Sequence, residues 1–572
     1  MMRIQPLIFT LFIFLIPSLS FAQGGQGGGD GSLLPEINPQ DIEIRSEFTA
    51  RFPGLRRQPI LGFNPNPRVF QIDPNRMPFM ETPEEAVADI SITQLGRPEP
   101  PFRSLLEIPN RINTYLKAGF GSYLSPELNG YGFYKLDENS VASANVNLRA
   151  SDGHLNTQES GFRYLDVNGT YITEFQKGLQ LTVDAGALSD FNYLFNLSNP
   201  FQDTFIGETA DKEYSGLSGS VSLQKKQNSL NGWDLNLGGT IFSSTLNAGN
   251  SGSSGDIKEQ VLHSSFSYYW PGQKIYETFD ITGSVEAGTY NSDFFDSQNW
   301  TDARASFTYE RLFDFTTRLK ATGGVAYVSD TFSEKIYAAP EVEIIHNLNK
   351  NLSVTGTAFG RPEMKTIQDH YQYNRFLNSQ TQLRHAYEAG ASGEINYQLF
   401  DGNKIFGGLS YTHTKDYAYY FREEIPPTNV LGFYDVNYGT ANIFELYVGA
   451  SQQLVPDKFW TDVKVYRRNP KLKSGGDIPY EEKLGLKAAV SFKPVKELTI
   501  NGWTEYIGNR NSPETNTKLN SFLLLNAGAE YQINETFGVY AKLLNILGQN
   551  YEIWNGYTER PFQMFGGLTV KF

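Results

Sequence analysis

Residues 559–572 read ERPFQMFGGLTVKF. In steps of two, Phe562, Met564, Gly566, Leu568, Val570 and Phe572 fall on one side, and Gln563, Phe565, Gly567, Thr569 and Lys571 on the other. A period of two belongs to a β-strand, whose successive side chains point to opposite faces. A chain end is ordinarily polar and frayed. This one is patterned, apolar on one face and aromatic at its last position, so it requires something to hold it.

The same alternation recurs upstream. Leu179, Leu181, Val183, Ala185 and Ala187 oppose Gln180, Thr182 and Asp184. Leu484, Leu486, Ala488, Val490 and Phe492 oppose Lys483, Lys487, Ser491 and Lys493. Ala142, Ala144, Val146 and Leu148 oppose Ser143, Asn145, Asn147 and Arg149, and Ile281, Val285 and Ala287 oppose Thr282, Ser284 and Glu286. A soluble sandwich or propeller also alternates. Here the strands are long, their polar faces carry rows of charge, and the connections alternate in length.

Short turns fall at 135–140, 175–179, 224–233, 270–274, 311–317, 346–351, 399–404, 454–458, 493–497 and 533–537. Longer polar connections lie between them, at 192–212, 246–259, 360–380, 420–440, 467–482 and 508–520. Ten short turns separate eleven hairpins, so the expectation is an all-β, antiparallel, up-and-down barrel of 22 strands. The first strand is placed near Ile112–Tyr123 and the last ends at Phe572. Short turns on one side, long loops on the other and an even strand count characterise outer-membrane barrels. In a closed barrel the last strand pairs with the first, leaving no edge unpaired in lipid. Phe562, Met564, Leu568, Val570 and Phe572 then meet lipid. Clusters such as Tyr268, Tyr269 and Trp270, or Tyr417, Tyr419, Tyr420 and Phe421, are placed in the interfacial aromatic girdles.

Composition excludes several function classes. A net charge of −14 argues against a nucleic-acid partner, which needs a basic surface. The absence of Cys removes disulfides, thiolate metal sites, Cys nucleophiles and an N-terminal lipid-anchored Cys. MMRIQPLIFTLFIFLIPSLSFAQ (1–23) reads as a secretory signal, with Arg3 as its positive end, an apolar stretch from Leu7 to Ile16 and cleavage expected between Ala22 and Gln23. No stretch of 18 or more consecutive apolar residues follows.

Residues 23–110 differ from the barrel region, 111–572. They open with the Gly-rich leader QGGQGGGDGS and then hold 13 of the 28 prolines, interspersed with Phe48, Phe52, Phe63, Phe70 and Phe79. Proline shortens regular elements, and this apolar content is too high for a solvated linker. The segment is expected to lie extended on another surface, with one short helix at Thr82–Ile90.

The terminal strand with its closing Phe572 resembles the insertion signal read by the outer-membrane barrel assembly machinery. Residues 520–572 resemble the C-terminal end of TonB-dependent receptors. The carrying features are Leu524-Leu525-Asn526-Ala527-Gly528, the segment Tyr540–Leu547, Tyr551, Gly556-Tyr557 and Gly566-Gly567-Leu568. The resemblance implies ligand uptake across the outer membrane of a Gram-negative bacterium, with TonB as partner. That family carries a globular plug before its barrel, whereas the proline-rich segment here lacks the plug pattern and a clear TonB box.

A barrel of this strand number has a backbone diameter of roughly 44 Å, too wide for side chains to fill. Residues 33–110 are therefore expected to enter the lumen, cap its periplasmic mouth, or dock TonB or another periplasmic or outer-membrane protein. The competing functions are an accessory barrel in a multi-protein complex and a passive porin-like channel. Catalysis finds little support. His154, His263, His346, His370, His385 and His413 are scattered, without HExxH or metal spacing, and no cofactor is expected. Asp369-His370-Tyr371 is read as part of a solvated loop, as are Asp293, Asp296, Glu423 and Glu424, whose acidity suits Ca²⁺. Tyr371 and Tyr373 are read as girdle or loop packing, with stacking on a sugar or siderophore as the lesser alternative.

Overall fold

The computed structural model describes residues 114–572, except 156–158, 176–177, 195–197, 200–203, 206–209, 229–230, 248–254, 275, 315, 379–380, 401, 423–433 and 514–516. The signal peptide with its Ala22–Gln23 cleavage site, the segment 23–110 with its helix, and Glu423 and Glu424 lie outside the described residues.

One antiparallel sheet closes on itself. Its 23 strand segments make a 22-strand wall, because Glu334–Ala338 and Glu341–Asn347 both pair with Thr317–Ser329 and are one strand interrupted before Pro340. Proline has no N–H to give the ladder. The wall strands are β1 Thr114–Gly121, β2 Ser125–Lys135, β3 Ser140–Ser151, β4 Phe162–Phe175, β5 Leu179–Leu194, β6 Ala210–Asn228 and β7 Asn231–Asn247. They continue with β8 Gly255–Pro271, β9 Glu277–Ser292, β10 Phe295–Phe313, β11 Thr317–Ser329, the two-part β12, β13 Leu352–Glu363, β14 Ala386–Phe400 and β15 Asn403–Arg422. The last are β16 Tyr434–Val455, β17 Phe459–Leu472, β18 Leu484–Val495, β19 Leu498–Ile507, β20 Phe522–Gln532, β21 Phe537–Leu544 and β22 Gln563–Lys571.

Closure falls where the terminal pattern requires it. β1 pairs with β22 from Tyr115↔Lys571 to Gly121↔Phe565, and Thr114 and Phe572 exchange backbone hydrogen bonds of 2.6 and 3.0 Å. Neither strand is left with an open edge, which in lipid would cost several kcal/mol for each unpaired group. The strands at this seam are short, while β15 and β16 are 20 and 22 residues long, so the wall is taller there than at the seam.

Outward faces are apolar and exposed, as a lipid-facing wall must be: Leu116, Phe120, Leu217, Ile241, Leu262, Phe266, Leu446 and Leu568 all point outside. Inward faces carry polar rows closed by ion pairs, including Lys487–Glu505 at 3.3 Å and Lys571–Glu530 at 2.9 Å. Among the described residues no helix is long and apolar enough to cross a membrane.

All ten short turns expected from the sequence join strands on the side of the two chain ends. The other side is less uniform than expected. Beside the long loops it has tight connections at 122–124, 293–294 and 330–333. The last is closed by the Asp330 side chain, which accepts the amides of Phe332 and Ser333, both at 2.7 Å. Asp commonly closes such turns through its own carboxylate.

Candidate functional site

The longest loop, 364–385 between β13 and β14, does not project into solvent. It folds inward over the loop-side mouth. Its first half is a short helix, α1 (Ile367–Tyr373), started by a capping box: the Thr366 side chain accepts the Asp369 amide and the Asp369 side chain accepts the Thr366 amide. The motif is legible in the sequence as Thr366-x-x-Asp369.

The barrel wall supplies the other anchors. Both carboxylate oxygens of Glu259, on β8, accept backbone amides of α1, Ile367 at 3.1 Å and Gln368 at 3.2 Å. A carboxylate suits the positive end of a helix. Lys212, on β6, is fully buried; its ammonium donates to the Leu377 carbonyl and sits 3.7 Å from the centre of the Tyr371 ring. Leu377 adds a backbone bridge to Tyr434 on β16, with the Tyr434 amide donating to the Phe376 carbonyl at 2.9 Å. Arg375 donates to Asn192 of β5 at 2.8 Å. The loop thus leaves at β13 and reaches back as far as β5.

The loop's departure end is fixed as firmly. Tyr290 Oη accepts the Leu383 amide at 2.9 Å. His385 Nδ1 pairs with the Asp330 carboxylate, while its Nε2 meets Tyr337 Oη at 3.1 Å. Burial alone would raise the Asp330 acid, but hydrogen bonds from His385 and the turn amides hold it down to about 2.

The interior of this lid is aromatic. Ile367, Tyr371, Phe376, Leu377 and Leu383 pack against Tyr214, Phe242, Tyr290, Trp300, Tyr420 and Tyr434 of the wall. A second loop, 545–562, joins them: Phe376 stacks on Tyr557 with ring centres 3.5 Å apart, and Trp554 contacts Tyr373, Tyr420, Tyr434 and Tyr480. Such pairs add about 0.5–1.5 kcal/mol each beyond area burial. The result is a packed aromatic cluster that ties both loops to the wall.

Several sequence expectations change here. His370 is buried, not solvated; its Nδ1 lies 2.9 Å from Tyr420 Oη, and burial, with Lys365 nearby, pushes its pKa down to about 3. Tyr371 is internal packing, the reading the sequence favoured over ligand stacking. Tyr420 belongs to this cluster and not to an interfacial girdle. A bulge between Thr414 and Tyr417, with Asp416 at φ 54°, inserts an extra residue in β15 and re-aims the side chains beyond it. Tyr268 and Trp270 do form an outward aromatic row, with ring centres 5.4 Å apart.

The histidines are not brought together. His263 lies 3.0 Å from Asn236, His346 2.8 Å from Thr317, His413 2.8 Å from Asn442, and His154 packs edge-on to Tyr123. Asp293 accepts the Asp256 amide. Among the described residues no group of three or more His, Asp or Glu is placed to hold a metal. In the terminal strand, Phe562, Met564, Leu568 and Phe572 face outward and are exposed, and Val570 lies on the same outward face. Glu259, Lys212, Arg375 and Trp554 were not singled out by sequence reasoning, because their roles depend on pairings across many strands.

No family model and no curated protein matches the sequence. Solved structures do match. The chain is similar to the ferric-catecholate import receptor Fiu from E. coli K12 (TM-score 0.61, 9% identity, covering 81% of this chain and 82% of that one). It is similar to the FrpB iron transporter from Neisseria meningitidis (0.64, 10%, 81% and 82%) and to the copper transporter OprC (0.63, 11%, 81% of each chain). At these identities the likeness shows that the chain has the barrel fold of outer-membrane receptors and transporters.

Proposed function

We propose that this protein takes up a ligand across the outer membrane of a Gram-negative bacterium through a gated barrel of TonB-dependent type. The observation that carries the reading is the 364–385 loop, which crosses the mouth and is pinned to it by Glu259, Lys212 and the His385–Asp330 pair. A passive pore has no use for a closure held at so many points. The outer-membrane transporters and receptors of similar fold support the direction of the reading. The C-terminal resemblance supports TonB as the energy source, acting through residues 23–110, and the assembly machinery as reader of Phe572.

Planar-bilayer conductance tests the gate. Wild-type protein gives small, infrequent openings, and a variant with 366–383 replaced by a short Gly-Ser linker gives large steady ones. Pull-down with the periplasmic domain of TonB tests the energy source. A wild-type barrel that conducts as freely as the loop-replaced form, and does not bind TonB, overturns the proposal in favour of a porin-like channel.

A further inference from the structure

Two arginines from two different loops meet over one position of the inner wall. Phe162 on β4 and Asn192 on β5 are directly paired across the strands and face the lumen. Arg375, from the 364–385 loop, donates to Asn192 Oδ1 at 2.8 Å. Arg560, from the 545–562 loop, lies over the Phe162 ring, 4.1 Å from its centre. Side chains directly opposed on neighbouring strands have Cβ atoms about 5 Å apart, so the guanidinium groups are held close together. The Phe376–Tyr557 stack locks the two loops to each other beside them. One row deeper, Arg149 lies 4.7 Å from the centre of the Tyr164 ring, and Tyr164 is paired with Asp190.

Two acids face this convergence without closing an ion pair: Asp190 acts chiefly on Arg375 and Glu559 on Arg560, so with Arg149 three cations face two carboxylates. Among the described residues no carboxylate comes within ion-pair distance of Arg375 or Arg560. Asp190 is the nearest acid along this wall, and it is committed, accepting from Asn192 Nδ2 at 2.6 Å and from Tyr214 Oη. Each guanidinium has five N–H donors. Arg375 gives one to Asn192, and Arg560 makes only a long 3.4 Å contact to Gln563. Burial lowers the Arg560 pKa to about 10; Glu559 is the strongest charge acting against it, and the like charges of Arg375 and Arg149 add smaller decreases. Arg375 remains open to solvent.

We propose that Arg375 and Arg560 form a two-loop binding site for an oxyanion, a carboxylate or phosphate group carried by a solute inside the barrel. Paired planar forks suit such groups, which accept two N–H bonds side by side. The pair faces the lumen, which selects a soluble anion over a lipid headgroup on the outer wall. A bridging anion ties the two loops of the closure together, so the site names the ligand class for the uptake reading, on which its physiological role rests.

The test uses the full-length protein in detergent. Tryptophan fluorescence, with Trp554 beside the stack, is followed as citrate or inorganic phosphate is added at constant ionic strength, with calorimetry as a second readout. Saturable binding is expected for at least one anion. Arg375→Gln and Arg560→Gln each weaken it tenfold or more, while Arg163→Gln, on the outer face, does not. Heat-dependent gel mobility confirms that each variant is a folded barrel. Absence of saturable binding to both anions in folded wild-type protein, or binding indifferent to both substitutions, overturns the site. The uptake reading fails separately, on conductance and TonB binding, and its failure leaves the anion measurements standing.

Discussion

The carboxylate of Glu259 accepts the amide of Ile367 at 3.1 Å across 108 positions of sequence, and with its other oxygen takes the next amide of the same helix. One acidic side chain on the wall thus holds the first turn of the lid. Hydrogen bonds to a charged group are worth about 1.5–3 kcal/mol each, and an unpartnered buried amide costs a comparable amount. Glu259→Ala is expected to weaken docking by about 2 kcal/mol, roughly thirtyfold in the ratio of docked to undocked loop. Trypsin added outside intact cells reads this at Lys365, Arg375 and Arg384. Cleavage there accelerates in the variant; an unchanged rate removes Glu259 as an anchor.

His370 makes the lid sensitive to acid. It is buried beside Tyr420, on a helix that also carries Asp369 and Tyr373, with Lys365 preceding it, and its pKa is about 3. Undocked and hydrated, a histidine titrates near 6.5. The docked form therefore binds fewer protons. Its contribution is complete above about pH 6.5 and is lost as pH falls below that value, by at most about 1.4 kcal/mol per unit, until the docked pKa is reached. Asp330 acts only below about pH 4, between its hydrated value and its docked value of about 2, whereas Glu259, raised by burial to about 7, takes up a proton on docking and opposes the His370 effect from about pH 7 down to about 4.5. In a Glu259→Gln background, which removes the opposing titration, amide hydrogen exchange in 367–373, corrected for intrinsic rate, is expected to quicken from pH 6.5 to 5. His370→Gln is expected to flatten that slope. A slope that survives the substitution assigns it to another group.

The wall was legible in the sequence and the lid was not, for one physical reason. A lipid-facing strand declares itself locally, because each outward position meets the same solvent. Leu179, Leu181 and Val183 therefore point to the wall without knowledge of any partner. The short turns are equally local. The 364–385 loop is read differently because Gln368, Asp369, His370 and Gln372 make it polar, and polarity suggests water. Its apolar set, Ile367, Tyr371, Phe376, Leu377 and Leu383, is buried by residues between 190 and 557, which no local window contains. Lys212 and Arg375 show how far apart the partners lie: 165 positions from the Leu377 carbonyl for one, 183 from Asn192 for the other. Even so, the Thr366–Asp369 capping box announces a helix start where a solvated loop was expected.

The seam tolerates no added side chain at its centre. A Cβ on Gly567 would lie 2.1 Å from the Ala118 carbonyl oxygen and 2.5 Å from the Gly119 Cα, both backbone atoms that cannot move without opening the β1–β22 ladder. On the lumen side, Tyr540 packs over both glycines and donates to Glu127 at 2.7 Å, with Lys542 on the other Glu127 oxygen. Gly567→Val is expected to prevent closure, seen as loss of the heat-dependent mobility shift and of the protein from the outer membrane. Gly356→Val is the control. It meets nothing within 4 Å and should assemble normally. Normal assembly of Gly567→Val overturns this account of the seam.

The role assigned to Phe572 separates from stability through its backbone. Its amide and carbonyl close the ladder with Thr114, whereas its ring is 67% exposed on the outer face and bears little of the packing. Phe572→Ala leaves both hydrogen bonds in place, and loss of so exposed a ring costs the finished barrel no more than about 1 kcal/mol. If the assembly machinery reads that ring, the variant accumulates poorly in the outer membrane, while the fraction that assembles melts close to wild type. The same holds, more weakly, for Met564→Ser and Leu568→Ser, which keep the strand but remove outward apolar bulk. Quantifying assembled protein against total synthesis decides the matter. Wild-type amounts of Phe572→Ala, assembled at the normal rate, reduce the ring to one more lipid-facing side chain.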